Sequence, residues 1–243
     1  MNRYFFAGIC SLVIFSSCHF FGGEHIRGDG VIKKEDRTAN RQFSSVEVSN
    51  AFELHIRQDQ AYSVTIEADE NLLHYVIVEN DGDKLKIYSE KNYNLDPTNG
   101  DRVKIWVSSP VLNNLQASGA CNIVGENLLS SGQMLSIDLS GASNASLELK
   151  APKVSVELSG ASGVNIKGET KDLTVEGSGA SHARCFDLLS ENTDVDMSGA
   201  SSAEVFGSVK INGTASGAST IKCKGKGSLT KDESGASNVE KIE

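Results

Sequence analysis

Proline is scarce in this 243-residue chain, with 3 prolines against 23 glycines. That balance excludes a proline-rich disordered chain and favours a globular all-β protein with many tight turns. Positive charge is also in deficit. Lys and Arg total 23 against 32 Asp and Glu, for a net charge of −9. No basic surface is available to neutralise phosphates, so nucleic acid is excluded as a partner. The same surplus disfavours electrostatic adsorption to anionic lipid and mainly confers solubility. The apolar run Tyr4–Phe15 is roughly a dozen residues, too short to cross a bilayer. Also missing are a Gly-x-Ser-x-Gly elbow, a cluster of residues at metal-ligand spacing and a phosphate-cradling loop.

That early run has another use. Arg3 supplies a positive start, the apolar stretch follows, and Ser16-Ser17-Cys18 places small residues before a cysteine. Residues 1–17 therefore read as a signal peptide. Ile14-Phe15-Ser16-Ser17-Cys18 looks like a lipobox, with Cys18 acylated and first in the mature protein. Each buried acyl methylene contributes roughly 0.8 kcal/mol, so multiple acylation would hold the exported chain firmly to the cell envelope, expectedly the outer membrane. His19-Phe20-Phe21 carries no acidic export run, which leaves periplasmic and surface exposure both open. Residues 18–42 contain Gly22-Gly23, Gly28, Gly30 and the charged run Lys33–Arg37 without periodicity. They are expected to form a flexible tether.

What the chain has in abundance is one phrase. It occurs as Ser118-Gly119-Ala120 and then, with a following serine, around Gly141, Gly160, Gly179, Gly199, Gly217 and Gly235. Successive glycines are separated by 22, 19, 19, 20, 18 and 18 residues. A fixed period of this kind marks a solenoid whose coils bury their faces only against neighbours. Around each glycine the side chains alternate with period two, as in a strand. Ile137 and Leu139 precede Gly141, with Ala145 and Leu147 after it. Each coil thus reads as strand, Ser-Gly-Ala-Ser corner, strand and return. Equivalent strands must then pair in parallel, predicting an all-β, right-handed parallel β-helix. Glycine at the corner allows a conformation other residues resist, and the alanine is expected to point inward. Residues 116–243 form the regular repeat coils.

Residues 43–115 read as the same domain begun less regularly, so that the β-helix spans 43–243. Val46–Ile56 copies the pattern with Asn50 where glycine later stands. Further alternating strands include Tyr62–Ile66, Lys84–Tyr88 and Arg102–Val107, and Asp81-Gly82-Asp83 is a turn. Longer, decorated coils with a capping antiparallel patch are expected here.

Phe43-Ser44-Ser45-Val46-Glu47-Val48-Ser49, the turn at 81–85 and the serial Ser-Gly-Ala-Ser phrases resemble the head GIN domain family of adhesin-like lipoproteins. The resemblance covers nearly all of the mature chain. It implies a β-helical fold and an adhesive role, with the biochemical function of the family unknown. An autotransporter would also require a C-terminal membrane barrel of amphipathic strands. The charged tail Asn238–Glu243 reads instead as a solenoid cap.

Four outward carboxylates, Asp138, Glu157, Glu176 and Asp196, stand three residues before their glycines in successive coils. Stacked at ~4.8 Å, neighbours repel by about 1 kcal/mol in water. They are candidate oxygen ligands for calcium, with a solvated acidic face as the alternative; no other cofactor is expected. Tyr88 and Trp106 are candidate ligand-binding platforms, or else pack beneath the loop at 92–99. Cys185 and Cys223 share an offset two coils apart, ~9–10 Å, too far for a disulfide. With Cys121 at another offset, three unpaired thiols are expected, two of them in the core. His182 reads as outward-facing, and His55 and His74 have no evident partner for base catalysis. The expected function is a non-enzymatic binding or adhesion module for a polysaccharide or protein. An envelope scaffold is second, and a β-helical carbohydrate-active enzyme using Arg184 beside the acidic column is third.

Overall fold

The computed structural model describes residues 23–38 and 42–243; the signal peptide, Cys18 and residues 19–22 and 39–41 of the expected tether lie outside the described residues. In the strand Met134–Leu139, Leu135, Ile137 and Leu139 are fully buried while Ser136 and Asp138 face out. The C-terminal halves of Asn144–Leu158 and Gly163–Gly177 continue this first face, followed by Asn192–Met197, Lys210–Ala215 and Ser228–Glu233. Each is parallel to the one before. The strands after the corner, from Asn122–Ser130 to Asn238–Lys241, stack likewise into a second parallel face. One continuous apolar core fills the space between the faces. The chain is a parallel β-helix.

The corner glycines all adopt positive φ, from 72° at Gly141 to 85° at Gly119. Each corner alanine N–H donates to the carbonyl of the glycine one coil earlier at 2.6–2.7 Å. A Cβ on Gly160, Gly179, Gly199, Gly217 or Gly235 would lie 2.6–2.8 Å from that same oxygen. The position thus demands glycine twice, for its dihedral and for the closeness of the coil beneath. Asn50 opens the column with φ 77°, and its carbonyl accepts from Ala120 at 2.6 Å.

The alanine is not inward as expected. Ala142, Ala161, Ala180, Ala200 and Ala218 are exposed, and the serine after each is buried. The period-two alternation runs straight through the corner, so the serine has inward parity and the alanine outward. Most buried hydroxyls find an acceptor, and the corner supplies carbonyls, although the Ser181 hydroxyl has no partner among the described residues. Ser162 donates to Leu139 O at 3.1 Å, and Ser219 to Met197 O and Ser216 O at 2.9 and 2.8 Å. Cys121 occupies the serine place in the first phrase, its thiol 3.3 Å from Ser118 O. Cys185 and Cys223 each pair in register with Val205, which separates them by two coils. These three cysteines are buried, and none forms a disulfide with a described residue.

The N-terminal part uses nine strands: β1 (Glu24–Arg27), β2 (Ile32–Arg37), β3 (Ser45–Val48), β4 (Glu53–Gln58), β5 (Ser63–Asp69), β6 (Val76–Asp81), β7 (Lys84–Ser89), β8 (Tyr93–Asp96) and β9 (Lys104–Ser109). β3 and β4 form the first coil. The chain then doubles back, so that β7 and β9 lie parallel to β3 and β4 on the side away from the repeats. Antiparallel β6 covers β7, and antiparallel β5 and β2 cover β9. This is the expected antiparallel patch, and it closes the N-terminal end of the core.

A flexible tether is not what residues 24–37 form. β1 pairs in parallel with β8, and β2 completes the edge on β5. Composition gave no apolar periodicity there because the segment gains backbone pairing at a sheet edge in place of core burial. A polar hub fixes the link between the two strands. The fully buried Asp69 accepts from the Gly30 N–H at 2.8 Å, the Thr98 N–H at 3.1 Å and the Thr98 hydroxyl at 2.5 Å. Burial opposes its ionisation, but these hydrogen bonds outweigh it and hold the carboxyl below its ordinary range. Gly28 packs so closely on this carboxylate that a Cβ would overlap it.

The C-terminal end is closed differently. Gly213 and Ala215 are the small inward residues of the penultimate coil, and Lys231 and Glu233 stand above them in register. The Glu233 carboxylate accepts the Val239 N–H at 2.5 Å, and the Lys231 ammonium donates to Val239 O at 3.2 Å. The two charges pair with each other at 3.1 Å, and Lys241 donates to Gly227 O at 2.8 Å. Val239 presents both backbone groups along the solenoid axis, and the two side chains take the places that a further strand's backbone would fill. The charged cap read from 238–243 is thus carried mainly by residues 231 and 233.

Candidate functional site

The first face brings the four predicted carboxylates into a single column. Asp138 pairs in register with Glu157, Glu157 with Glu176, and Glu176 with Asp196. Upstream the same column contains Gln116 and Glu47, and downstream Thr214 and Asp232. Glu47 has a cation, with Lys84 Nζ at 2.9 Å. The four carboxylates from Asp138 to Asp196 have no ion pair or side-chain hydrogen bond with a described residue. Beside them, Asp172 and Asp194 accept from Asn192 and Asn212 at 2.8 and 2.5 Å. The column and the corner serines Ser159, Ser178 and Ser198 line an open depression of about 320 Å³. The carboxylates are strung along a line. Among the described residues no group of three or more His, Cys, Asp or Glu side chains is placed to hold a metal ion.

Arg184 is not beside this column. It lies on the second face, between Asn165 and Glu204 in register, because the Ser-Gly-Ala-Ser corner puts residues before and after it on different sheets. The carboxylate–arginine pairing that the enzyme reading used is therefore not formed.

Tyr88 and Trp106 are not brought together either, since β7 belongs to the first face and β9 to the second. The Tyr88 phenol sits beside Glu79; burial, followed by that carboxylate, raises its pKa above the ordinary range. The Trp106 indole is occupied. His55, its register partner on β4, stacks on it at 5.1 Å and 15°. Lys34 reaches over the ring from the β5 side, its ammonium 4.5 Å from the centroid. This indole is part of a packed polar cluster and offers no free face. His55 does have partners: Nε2 lies 2.8 Å from Glu53 and Nδ1 3.6 Å from Glu126. Glu53 precedes it by two residues on β4, and Glu126 lies on Asn122–Ser130, the strand of the next coil that pairs with β4. His182 is half-buried over Gly163, and His74 packs on Tyr75 at 3.8 Å. Desolvation pushes the Cys185 thiol up to about 12, and the Cys121 and Cys223 thiols up to about 11, which disfavours the nucleophilic thiolate.

A second concavity had no signal in the repeat. Where the corner column ends at Asn50, the coil made by β7 and β9 has no four-residue corner. Residues 90–103 swing outward through β8 and the short 3-10 turn Thr98–Gly100. Between this arm and Asn50-Ala51 lies a cleft of about 410 Å³.

The family description "Putative auto-transporter adhesin, head GIN domain" matches residues 42–227. Among solved structures, a "putative adhesin" from Bacteroides fragilis NCTC 9343 superimposes with TM-score 0.81 at 19% identity, covering 89% of this chain and 100% of that one. A "Putative lipid binding protein" from Parabacteroides distasonis ATCC 8503 gives TM-score 0.72 at 17% identity, covering 90% and 100%. A "putative adhesin" from Parabacteroides merdae ATCC 43184 gives 0.61 at 16%, covering 91% and 100%. At these identities the likeness is one of fold. No curated protein matches the sequence.

Proposed function

We propose, from the premise that the chain belongs to the head GIN domain family, that it is a non-enzymatic binding module displayed at the cell envelope. Cys18 carries its lipid anchor to the outer membrane, and the solenoid offers its first face to a polysaccharide or protein partner. The column from Asp138 to Asp196 carries this reading. Like charges at strand spacing oppose folding, and the chain neutralises Glu47 in the same column with Lys84. Four uncompensated carboxylates on a pre-ordered sheet are available to donors from outside, and a rigid surface loses little entropy when it binds.

Antibody labelling and added protease on intact cells of the native host, beside lysed controls and a Cys18→Ala strain, test the reading. Labelling and cleavage on intact cells, with release of the Cys18→Ala protein from the membrane fraction, support it. Full protection on intact cells would end the adhesion reading and leave an envelope scaffold.

A further inference from the structure

We infer that the cleft between the arm 90–103 and the first corner is a binding site for a neutral sugar unit; this rests on the reading of the protein as a binding module and names the ligand class. The cleft exists because the repeat fails at one place. Every later coil passes from first to second face through a four-residue corner that stacks on its neighbour. Below Asn50 the chain makes an excursion instead, and the space that a stacked corner would fill stays open. Its volume, about 410 Å³, lies within the range of small-molecule sites.

The lining suits a hydroxylated ring. Phe52 and Val103, both buried, form an apolar floor with half-buried Leu95 at one side. Around it stand exposed Asp96, Asp101 and Arg102. Neither carboxylate has an ion pair or side-chain hydrogen bond with a described residue. Arg102 spends one terminal nitrogen on the carbonyls of Ala51 and Ala120 and keeps the rest of its planar fork. Two carboxylates accept hydroxyl protons in pairs, and a guanidinium donates in pairs to hydroxyl or ring oxygens. Two negative charges and one positive one favour neither a strong anion nor a polycation. The ring's C–H face would rest on Leu95 and Pro97, the half-buried apolar residues of the lining.

The arm is held in position before any ligand arrives. β1 pairs with β8 along its whole length. Thr98, at the arm's outer turn, is bonded twice to Asp69, which also holds Gly30. A site pre-ordered in this way avoids the entropy cost of closing a loop.

The test uses the mature chain on a microarray of neutral glycans, followed by calorimetry with the free sugars that score. Two variants leave the hub and the corner intact. Asp101→Asn removes a carboxylate at the exposed rim, and Ala51→Trp fills the cleft from its exposed edge. Saturable binding that weakens at least tenfold in both variants, with circular dichroism and melting temperature unchanged, is the expected result. No binding to any neutral glycan, or binding that both variants keep at full strength, overturns the proposal. Adhesion of protein-coated beads to host cells separates the two readings. Beads that adhere equally with wild type and Ala51→Trp sink the cleft and leave the binding module standing. Beads that never adhere count against the module itself.

Discussion

Two glycines with almost the same backbone separate the conformational requirement at the corner from the steric one. Gly160 has φ 73° and Gly82 has φ 66°, so alanine at either site suffers the left-handed penalty of ~1–2 kcal/mol. Each substitution regains about 0.4–1 kcal/mol by stiffening the unfolded chain. Beyond that the sites differ. At Gly82, in the turn between β6 and β7, a new Cβ meets nothing within 4 Å. At Gly160 it falls 2.6 Å from Gly141 O, so the coils must separate or shear. Overpacking of this kind costs ~1–3 kcal/mol. It also stretches the hydrogen bonds from Ala161 to Gly141 O and from Ala180 to Gly160 O, both 2.7 Å, at ~1 kcal/mol each. The expected losses are ~1 kcal/mol for Gly82→Ala and ~4–6 kcal/mol for Gly160→Ala. Urea titration followed by circular dichroism compares the two midpoints, and hydrogen exchange at Ala161 and Ala180 reports the local opening. Equal losses, or unchanged exchange at the corner, would refute the claim that coil contact makes glycine obligatory there.

Replacing Lys231 with Thr and Glu233 with Val leaves Val239's backbone pair open at the C-terminal edge, so light scattering after gel filtration should show concentration-dependent association absent in the parent. Asp69 has a lowered folded pKa, so its contribution is present above its unfolded value and is lost as pH falls through the lower folded value; Asp69→Asn should flatten the acid limb of the stability profile and expose residues 23–38 to protease at neutral pH. Cys185, buried and pushed up to about 12, should resist a thiol reagent at pH 8 until the chain is denatured; fast native labelling would contradict its placement. Glu157→Lys should raise the melting temperature at low salt by relieving repulsion from Asp138 and Glu176, and a drop would show that the column's charge serves the fold.

The repeat was readable because a parallel solenoid puts its strongest constraint at one residue per coil. The glycine interval gave the coil, and the alternation on either side gave both faces, including the register Asp138–Glu157–Glu176–Asp196. Asn50 was recognisable because asparagine tolerates positive φ better than most residues. Parity, applied strictly, would also have placed the corner serine inward and Cys121 in its column. The N-terminal end was opaque for another reason. β2 and β5 pair antiparallel across 27 residues or more of chain, and β9 returns to β4 from beyond them. No local pattern announces such contacts. The His55–Trp106 stack, the Asp69 hub and the cleft all depend on that return.

The two faces show which features the fold requires and which it merely permits. On the second face, residues paired in register across adjacent coils are matched in charge: Lys167 meets Glu148 at 3.0 Å and Lys150 meets Glu169 at 3.2 Å. On the first face, at the same spacing, Asp138, Glu157, Glu176 and Asp196 meet one another. Exposed ion pairs contribute little to stability, so the contrast has little bearing on how strongly the solenoid holds together. Its effect is on the field outside. One face is nearly self-neutralising, and the other projects a line of negative potential down a depression edged with serine hydroxyls. Inward packing and corner stacking leave these outward positions free to vary, and the coil would tolerate a lysine at any of them. An acidic line kept on one face alone is therefore better explained by what that face meets than by what the coil needs.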